Sequence, residues 1–142
     1  MSHSQKDLYK KLLGISGENA ACKLLKSYGY RITARNFKTP FGEVDILARQ
    51  GETLVLIEVK TRTGEEFGSA SQAVTPQKVQ RYRKAASWLA LKEGDTSIRF
   101  DVIEVYPKGI PADVLTAEEK ASRAAEKKPR KLPELRLIEN AF

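Results

Sequence analysis

Two apolar runs, residues 43–49 and 54–62, are separated by little more than Gly51-Glu52, and this spacing constrains the fold more than any other feature of the chain. Glycine suits the first central position of a two-residue type II′ turn, so the runs are predicted to pair as an antiparallel hairpin with Gln50 opposite Thr53. Counting outward from that pair sets Asp45 opposite Glu58, with both side chains on one face and their Cβ atoms roughly 5 Å apart. Strand alternation puts Lys60 on the same face. Leu47, Leu54 and Leu56 share it nearer the turn, so an apolar surface gives way to two acids and a lysine. The stretch Leu54-Val55-Leu56-Ile57 is apolar on both faces, as in a central strand covered on each side.

Like charges directly opposed on a half-buried strand pair are destabilising unless something positive lies between them. A Mg²⁺ or Mn²⁺ ion held by two carboxylates, waters and a phosphate oxygen would supply that charge. The alternative reading of the same residues is an ordinary ion pair of Lys60 with Glu58 or Asp45 at a sheet edge. Composition narrows the chemistry further. The chain has one cysteine, Cys22, and one histidine, His3, which excludes an intrachain disulfide, a multi-cysteine zinc site, His-metal nucleases, Ser-His-Asp triads and HExxH hydrolases. Carboxylates and lysines must carry any catalysis.

Around the hairpin, residues 6–28 place apolar side chains at mostly helical spacing, interrupted by Gly14 and Gly17. This predicts a short helix leading into a second one, capped by Ser16, with Glu18 in its first turn and Gly29 at its end. Residues 30–34 alternate as a strand and residues 39–42 read as a turn. Thr75-Pro76 opens a helix running to about Lys92, with Val79, Tyr82, Ala86 and Leu89 as its core stripe. Residues 98–106 and 135–138 read as strands. The intervening segment, rich in Ala, Lys, Glu and Pro, predicts a mobile excursion, transiently helical around residues 117–127. With 142 residues the chain suits a single domain. We divide it into a core at 1–106, a flexible basic insertion at 107–133 and a terminal strand and tail at 134–142.

Lys and Arg number 25 against 18 Asp and Glu, a net charge of +7 that favours polyanionic partners or else simply a soluble basic surface. Lys78, Arg81 and Lys84 are expected to form a basic ridge opposite the core stripe, suited to phosphate contacts or to solvent alone, with Trp88 one turn beyond. Trp88 is a candidate for stacking on an exposed base, or for ordinary helix packing. Arg35, Asn36 and Arg62 flank the acidic hairpin as further candidate nucleic-acid contacts. Lys127, Lys128, Arg130 and Lys131 add a basic run in the insertion. The N-terminus lacks the apolar core of a signal peptide, and no stretch approaches the roughly 18 apolar residues of a membrane span. A cytoplasmic protein with no membrane partner is expected.

Asp45, followed after a gap of twelve residues by Glu58-Val59-Lys60, resembles the D...(D/E)-x-K signature of the PD-(D/E)-x-K nuclease superfamily. A wider series is similar to the YraN-like family of bacterial proteins, which is assigned an endonuclease-like fold. It comprises Gly17-Glu18-Asn19-Ala20-Ala21, Gly29-Tyr30-Arg31-Ile32, Ala34-Arg35-Asn36, Gly42-Glu43-Val44-Asp45-Ile46 and Glu58-Val59-Lys60-Thr61-Arg62. It continues with Phe67-Gly68, Ala73-Val74-Thr75-Pro76-Gln77-Lys78, Arg99-Phe100-Asp101-Val102 and Ile138-Glu139-Asn140-Ala141-Phe142. The resemblance covers roughly residues 12–106 and the last five. It departs at the long 107–136 connection, and at Ser71-Gln72, where the family often carries acids; Gln72 is retained as a candidate nucleic-acid contact.

The resemblance implies an α/β restriction-endonuclease-like core, a mixed central sheet flanked by helices. It also implies that Asp45 and Glu58 hold the metal, and that Lys60 orients or activates the attacking water and stabilises charge on the phosphate. Glu18 matches a first-helix glutamate that resolvase-like members place near the metal; its alternative role is that of a helix-dipole partner. The expected function is metal-dependent endonucleolytic hydrolysis of DNA, branched or nicked DNA included, with DNA favoured over RNA and a homodimer left open. The alternatives are a non-catalytic nucleic-acid-binding module and a repair or replication scaffold that docks through residues 107–133.

Overall fold

Leu54, Val55, Leu56 and Ile57 are each at most 1% exposed, and their two-sided burial organises everything around them. The computed structural model describes residues 2–63, 75–94, 97–126 and 130–142. Helix α1 (His3–Ser27) leads into strands β1 (Arg31–Thr39), β2 (Gly42–Gln50) and β3 (Thr53–Thr61). Helix α2 (Pro76–Glu93), strand β4 (Ser97–Tyr106), helix α3 (Ala117–Ala125) and strand β5 (Glu134–Ile138) follow. The sheet order is β1-β2-β3-β4-β5, with β3 at the centre as expected. β1–β2, β2–β3 and β4–β5 are antiparallel, while β3–β4 is parallel. A parallel pair requires a crossover, and α2 supplies it. The fold is therefore the expected mixed sheet flanked by helices, compatible with a nuclease-like core.

The two faces of β3 build two cores. Val55 and Ile57, with Ile46, Ala48, Ile103 and Val105, pack beneath Ala21, Cys22 and Leu25 of α1. Leu54 and Leu56, with Val44 and Leu47, pack against Tyr82, Ala85 and Leu89 of α2. Each such aliphatic side chain contributes roughly 1.5–3 kcal/mol relative to leaving it in water. On α2 the burial shifts slightly from the expected stripe: Ala85 is buried and Val79 only half-buried.

The N-terminal region corrects the reading of two helices. α1 is continuous and is capped by Ser2, in a capping box with Gln5, so Ser16 is no cap. Gly17 serves close packing instead of a break, because a Cβ there would approach Thr61 Oγ1 to 2.7 Å. Glu18 consequently lies well inside the helix, beyond the reach of an N-terminal dipole. The 107–133 segment contains α3, capped by a Thr116–Glu119 box, with no buried residue of its own and tied to β5 by ion pairs. Arg136 donates to Glu119 Oε1 at 2.6 Å and to the Val114 carbonyl at 3.1 Å, while Glu134 pairs with Arg123. Lys127 and Lys128 lie outside the described residues.

The tail closes the α2 side of the sheet. Asn140, with φ of +52°, donates its amide to Asp101 Oδ1 at 2.9 Å, and Ala141 donates to the Phe100 carbonyl at 2.8 Å. This turn delivers Phe142 onto Phe100, with ring centroids 5.1 Å apart, and against Tyr82 at 5.5 Å. Full burial of a phenylalanine is worth roughly 3–5 kcal/mol against alanine. Phe142 is half-buried. Phe142→Ala is therefore expected to lower the unfolding free energy by about 2–3 kcal/mol in urea titrations, with little change in the slope of the transition.

Candidate active site

The hairpin register is the one expected: Gln50 pairs with Thr53, and the ladder continues to Ile46 opposite Ile57. Gly51 has φ of +60° and Glu52 does not share that conformation, which fits a type II′ turn. One step beyond Ile46 the strands change character. Val44 and Leu47 both bury on the α2 side, while Ile46 and Ala48 bury on the α1 side, so β2 turns over at Asp45. β1 makes a matching departure at Asn36, φ +50°, between the pairs Arg35–Ile46 and Phe37–Val44.

Asp45 nevertheless comes beside Glu58, whose charge and side-chain hydrogen bond both act on its carboxyl. The Asp45 carboxylate is directed at the β3 backbone, where Oδ2 accepts the Val59 amide proton at 2.9 Å in place of a strand carbonyl. Glu58 follows Leu54 and Leu56 onto the α2 side and is 9% exposed. Its Oε1 accepts from Lys78 Nζ at 2.7 Å, and its Oε2 accepts from the Tyr82 hydroxyl. Lys78 and Tyr82 are four residues apart on α2, so one helical face grips both oxygens. Burial, followed by the charge of Glu58, pushes the Tyr82 hydroxyl far up, which keeps it a donor at any ordinary pH. Burial likewise pushes the Asp45 carboxyl up to about 7, with the Glu58 charge next in size, against the opposing pull of the Val59 amide. Two acids and one lysine thus share a partly buried site in which the acids outnumber the cation that pairs with them.

Lys60 is half-buried beyond Glu58 and has no ion-pair partner among the described residues. The ordinary Lys60 ion pair is accordingly absent there: Lys78 occupies Glu58, and β3 is no edge strand. Glu18 approaches from α1, and its charge adds to the rise of Asp45. Arg35 lies 3.8 Å from Glu18, and the Asn36 amide nitrogen, turned toward the acids, reaches both Glu18 and Glu43 at 3.0 Å. Among the described residues no group of three or more His, Cys, Asp and Glu converges closely enough to hold a metal. Of the three expected ligands, Asp45 and Glu58 come together and Glu18 stands behind them.

The expected nucleic-acid contacts are scattered. Arg62 is 7% exposed and donates from Nε to the buried Glu104 Oε2 at 3.1 Å, which makes it a pin between β3 and β4 and removes it from any groove. The basic ridge also divides. Lys78 turns inward to Glu58, Arg81 crosses Gly42 with its guanidinium 5.5 Å from the Tyr82 ring, and Lys84 alone faces solvent fully. Gln72 lies outside the described residues. Tyr82, read from sequence as core alone, is a site residue too; its four-residue spacing from Lys78 was the available signal.

The raised Asp45 carboxyl sets a pH dependence. Between its unfolded value near 4 and its folded value near 7, the native state holds a proton that the unfolded chain has lost, so stability falls as pH rises through that window. Each pH unit with a full proton of difference is worth about 1.4 kcal/mol, giving a loss of a few kcal/mol. Asp45→Asn keeps an acceptor for Val59 and removes the titration. Urea unfolding at pH 5 and pH 8 without added metal should show a steep loss in the parent and a much shallower one in the variant, which is the more stable of the two at pH 8.

Comparison with known proteins places this geometry in a family. The sequence model described as "Uncharacterised protein family UPF0102" matches residues 17–105, from the glycine that seats α1 to the end of β4. A UPF0102 protein of Caldicellulosiruptor saccharolyticus is 43% identical over 99 residues, covering 68% of this chain and 84% of the relative. One from Mycolicibacterium vanbaalenii is 45% identical over 95 residues, covering 66% and 78%. One from Geobacter sulfurreducens is 48% identical over 99 residues, covering 68% and 77%. Asp45, Glu58, Lys60, Lys78 and Tyr82 all fall inside the matched span, and the chain belongs to the UPF0102, or YraN, family.

Proposed function

We propose that this protein is a divalent-metal-dependent endonuclease that hydrolyses phosphodiester bonds in DNA, branched and nicked duplexes included. The observation that carries the reading is the Asp45–Glu58 pair: a half-buried carboxyl raised to about 7 beside a buried one, at the point where β2 and β3 part. Such a pair fits a hard divalent ion, which takes oxygen ligands and relieves the repulsion that holds a proton on Asp45. Bound there, a magnesium or manganese ion would polarise a phosphoryl oxygen and acidify a water. Glu58 would exchange Lys78 for the ion while Tyr82 keeps its grip on Oε2. Lys60, half-buried and without an ion pair among the described residues, is the cation available to orient water and to stabilise charge developing on phosphate. Glu18 would act one step out, through Asp45 and through its hold on Asn36.

A second reading, a nucleic-acid-binding module without turnover, draws on one specific observation: both Glu58 oxygens already have protein donors. Cleavage of labelled single-stranded, duplex, flap and four-way-junction DNA with Mg²⁺ or Mn²⁺ separates the two. Metal-dependent cutting reduced at least a hundredfold by Glu58→Ala and by Lys60→Ala is the expected result. Binding that is equal in all three proteins, with no cutting of any substrate, transfers the site to the second reading.

A further inference from the structure

On the outer side of α2, away from Glu58, the turn between β1 and β2 and the helix enclose a groove of about 340 Å³. Its walls are Phe41, Trp88 and Leu91, with Gln80, Arg83 and Lys84 along the rim. This volume is at the low end of the roughly 300–1,000 Å³ of small-ligand sites. Phe41 is 42% exposed and Leu91 88% exposed, so water meets apolar surface here that the fold does not cover. Trp88 is fixed from behind by Phe37, with ring centroids 6.3 Å apart, and Lys92 Nζ lies 4.2 Å from its ring centroid. Among the described residues Arg83 and Lys84 are exposed and make no ion pair, and no acid lines the groove.

We propose that this groove receives an unpaired nucleobase of a single-stranded nucleic acid, DNA or RNA, whose neighbouring phosphates are held by Arg83 and Lys84. The inference rests on the reading of the protein as one that acts on nucleic acid. Aromatic walls beside free cations are the combination that recognises single strands, because every base has a π-face and every step carries a phosphate. A second copy of this chain would set the same cations against these, at a cost. The position is apt as well. Trp88 is six residues beyond Tyr82 on α2, an axial rise of about 9 Å, so a strand passing round the helix from the acidic side spans the two levels in a few nucleotides. A frayed or flap strand emerging from the acidic site would therefore meet the groove within a few nucleotides.

Trp88 is the sole tryptophan of the chain, so its fluorescence reports the groove directly. Oligothymidylate, oligouridylate and a blunt duplex of equal length are titrated in EDTA, which stops cleavage. The proposal expects a saturable change in Trp88 emission with the single strands and an affinity at least tenfold weaker for the duplex; the thymidylate to uridylate ratio then separates DNA from RNA. Phe41→Ala, and independently the highly exposed Leu91→Ser, should weaken single-strand binding about tenfold without shifting the thermal midpoint. The pair Arg83→Gln and Lys84→Gln should lower the salt dependence by about 1.4 in slope, two single-strand phosphates' worth. Unchanged Trp88 emission, or unchanged affinity in both apolar variants, overturns the groove. Displacement of oligothymidylate by polyglutamate at equal affinity overturns it too, in favour of an acidic protein partner. Junction cleavage without a Trp88 response would sink the groove and leave the nuclease standing, whereas a Trp88 response without cleavage would do the reverse.

Discussion

Glu58 is a carboxylate on the central strand of the sheet, in a position where alternation from Leu54 and Leu56 leads toward the interior. Removing an unpaired charge from water costs several kcal/mol, so this side chain must be answered from the neighbouring layer. α2 answers it twice, with Lys78 on one oxygen and Tyr82 on the other. That requirement fixes the rotation of α2 on the sheet, since the same helix face that grips Glu58 must also bury Ala85 and Leu89. The C-terminal Phe142 secures the arrangement from the far side by packing on Tyr82 and Phe100. The last residue of the chain thus supports the hydroxyl that faces the site.

The second constraint comes from the opposite helix. Gly17 allows α1 to close on Thr61, bringing Glu18 to the end of β3 and into electrical range of Asp45. Tyr30 extends the same side by donating to Asp101 at 3.0 Å, while Arg99 bonds both. Asp101 also receives the Asn140 amide, so one buried acid joins α1's exit, β4 and the tail. Among the described residues, the buried acids Asp101 and Glu104 are both paired with arginines. The half-buried Asp45 differs from them: it has no cationic partner among the described residues, accepts the Val59 amide, and is opposed by the charges of Glu58 and Glu18.

How much of this was legible follows from the range of each signal. The central hairpin, its register and the helix after Thr75-Pro76 depend on local turn and cap chemistry, and they were read correctly from Gly51-Glu52 and Thr75. The turnover of the strands at Asn36 and Asp45 is not legible, because alternation assumes an unbroken pleat and the departure involves two strands together. Lys78 is expected on an outer basic ridge because its spacing with Arg81 and Lys84 runs opposite the core stripe. Its position four residues from Tyr82 puts its long side chain within reach of a buried charge. Arg62 was misjudged for the same reason: Glu104, on a strand remote in sequence, takes it inward. Gly17 looked like a helix break because close approach to Thr61 is invisible without the sheet.

On the function proposed above, a divalent cation completes the Asp45–Glu58 pair. Calorimetric titration with Mn²⁺ at pH 6.5, repeated in buffers of different ionisation enthalpy, measures both the binding and the protons it releases. The account predicts binding accompanied by release of most of one proton, with the release lost and the affinity at least tenfold weaker in Asp45→Asn. Absence of Mn²⁺ binding, or binding of equal strength in parent and variant with no proton released, would contradict it.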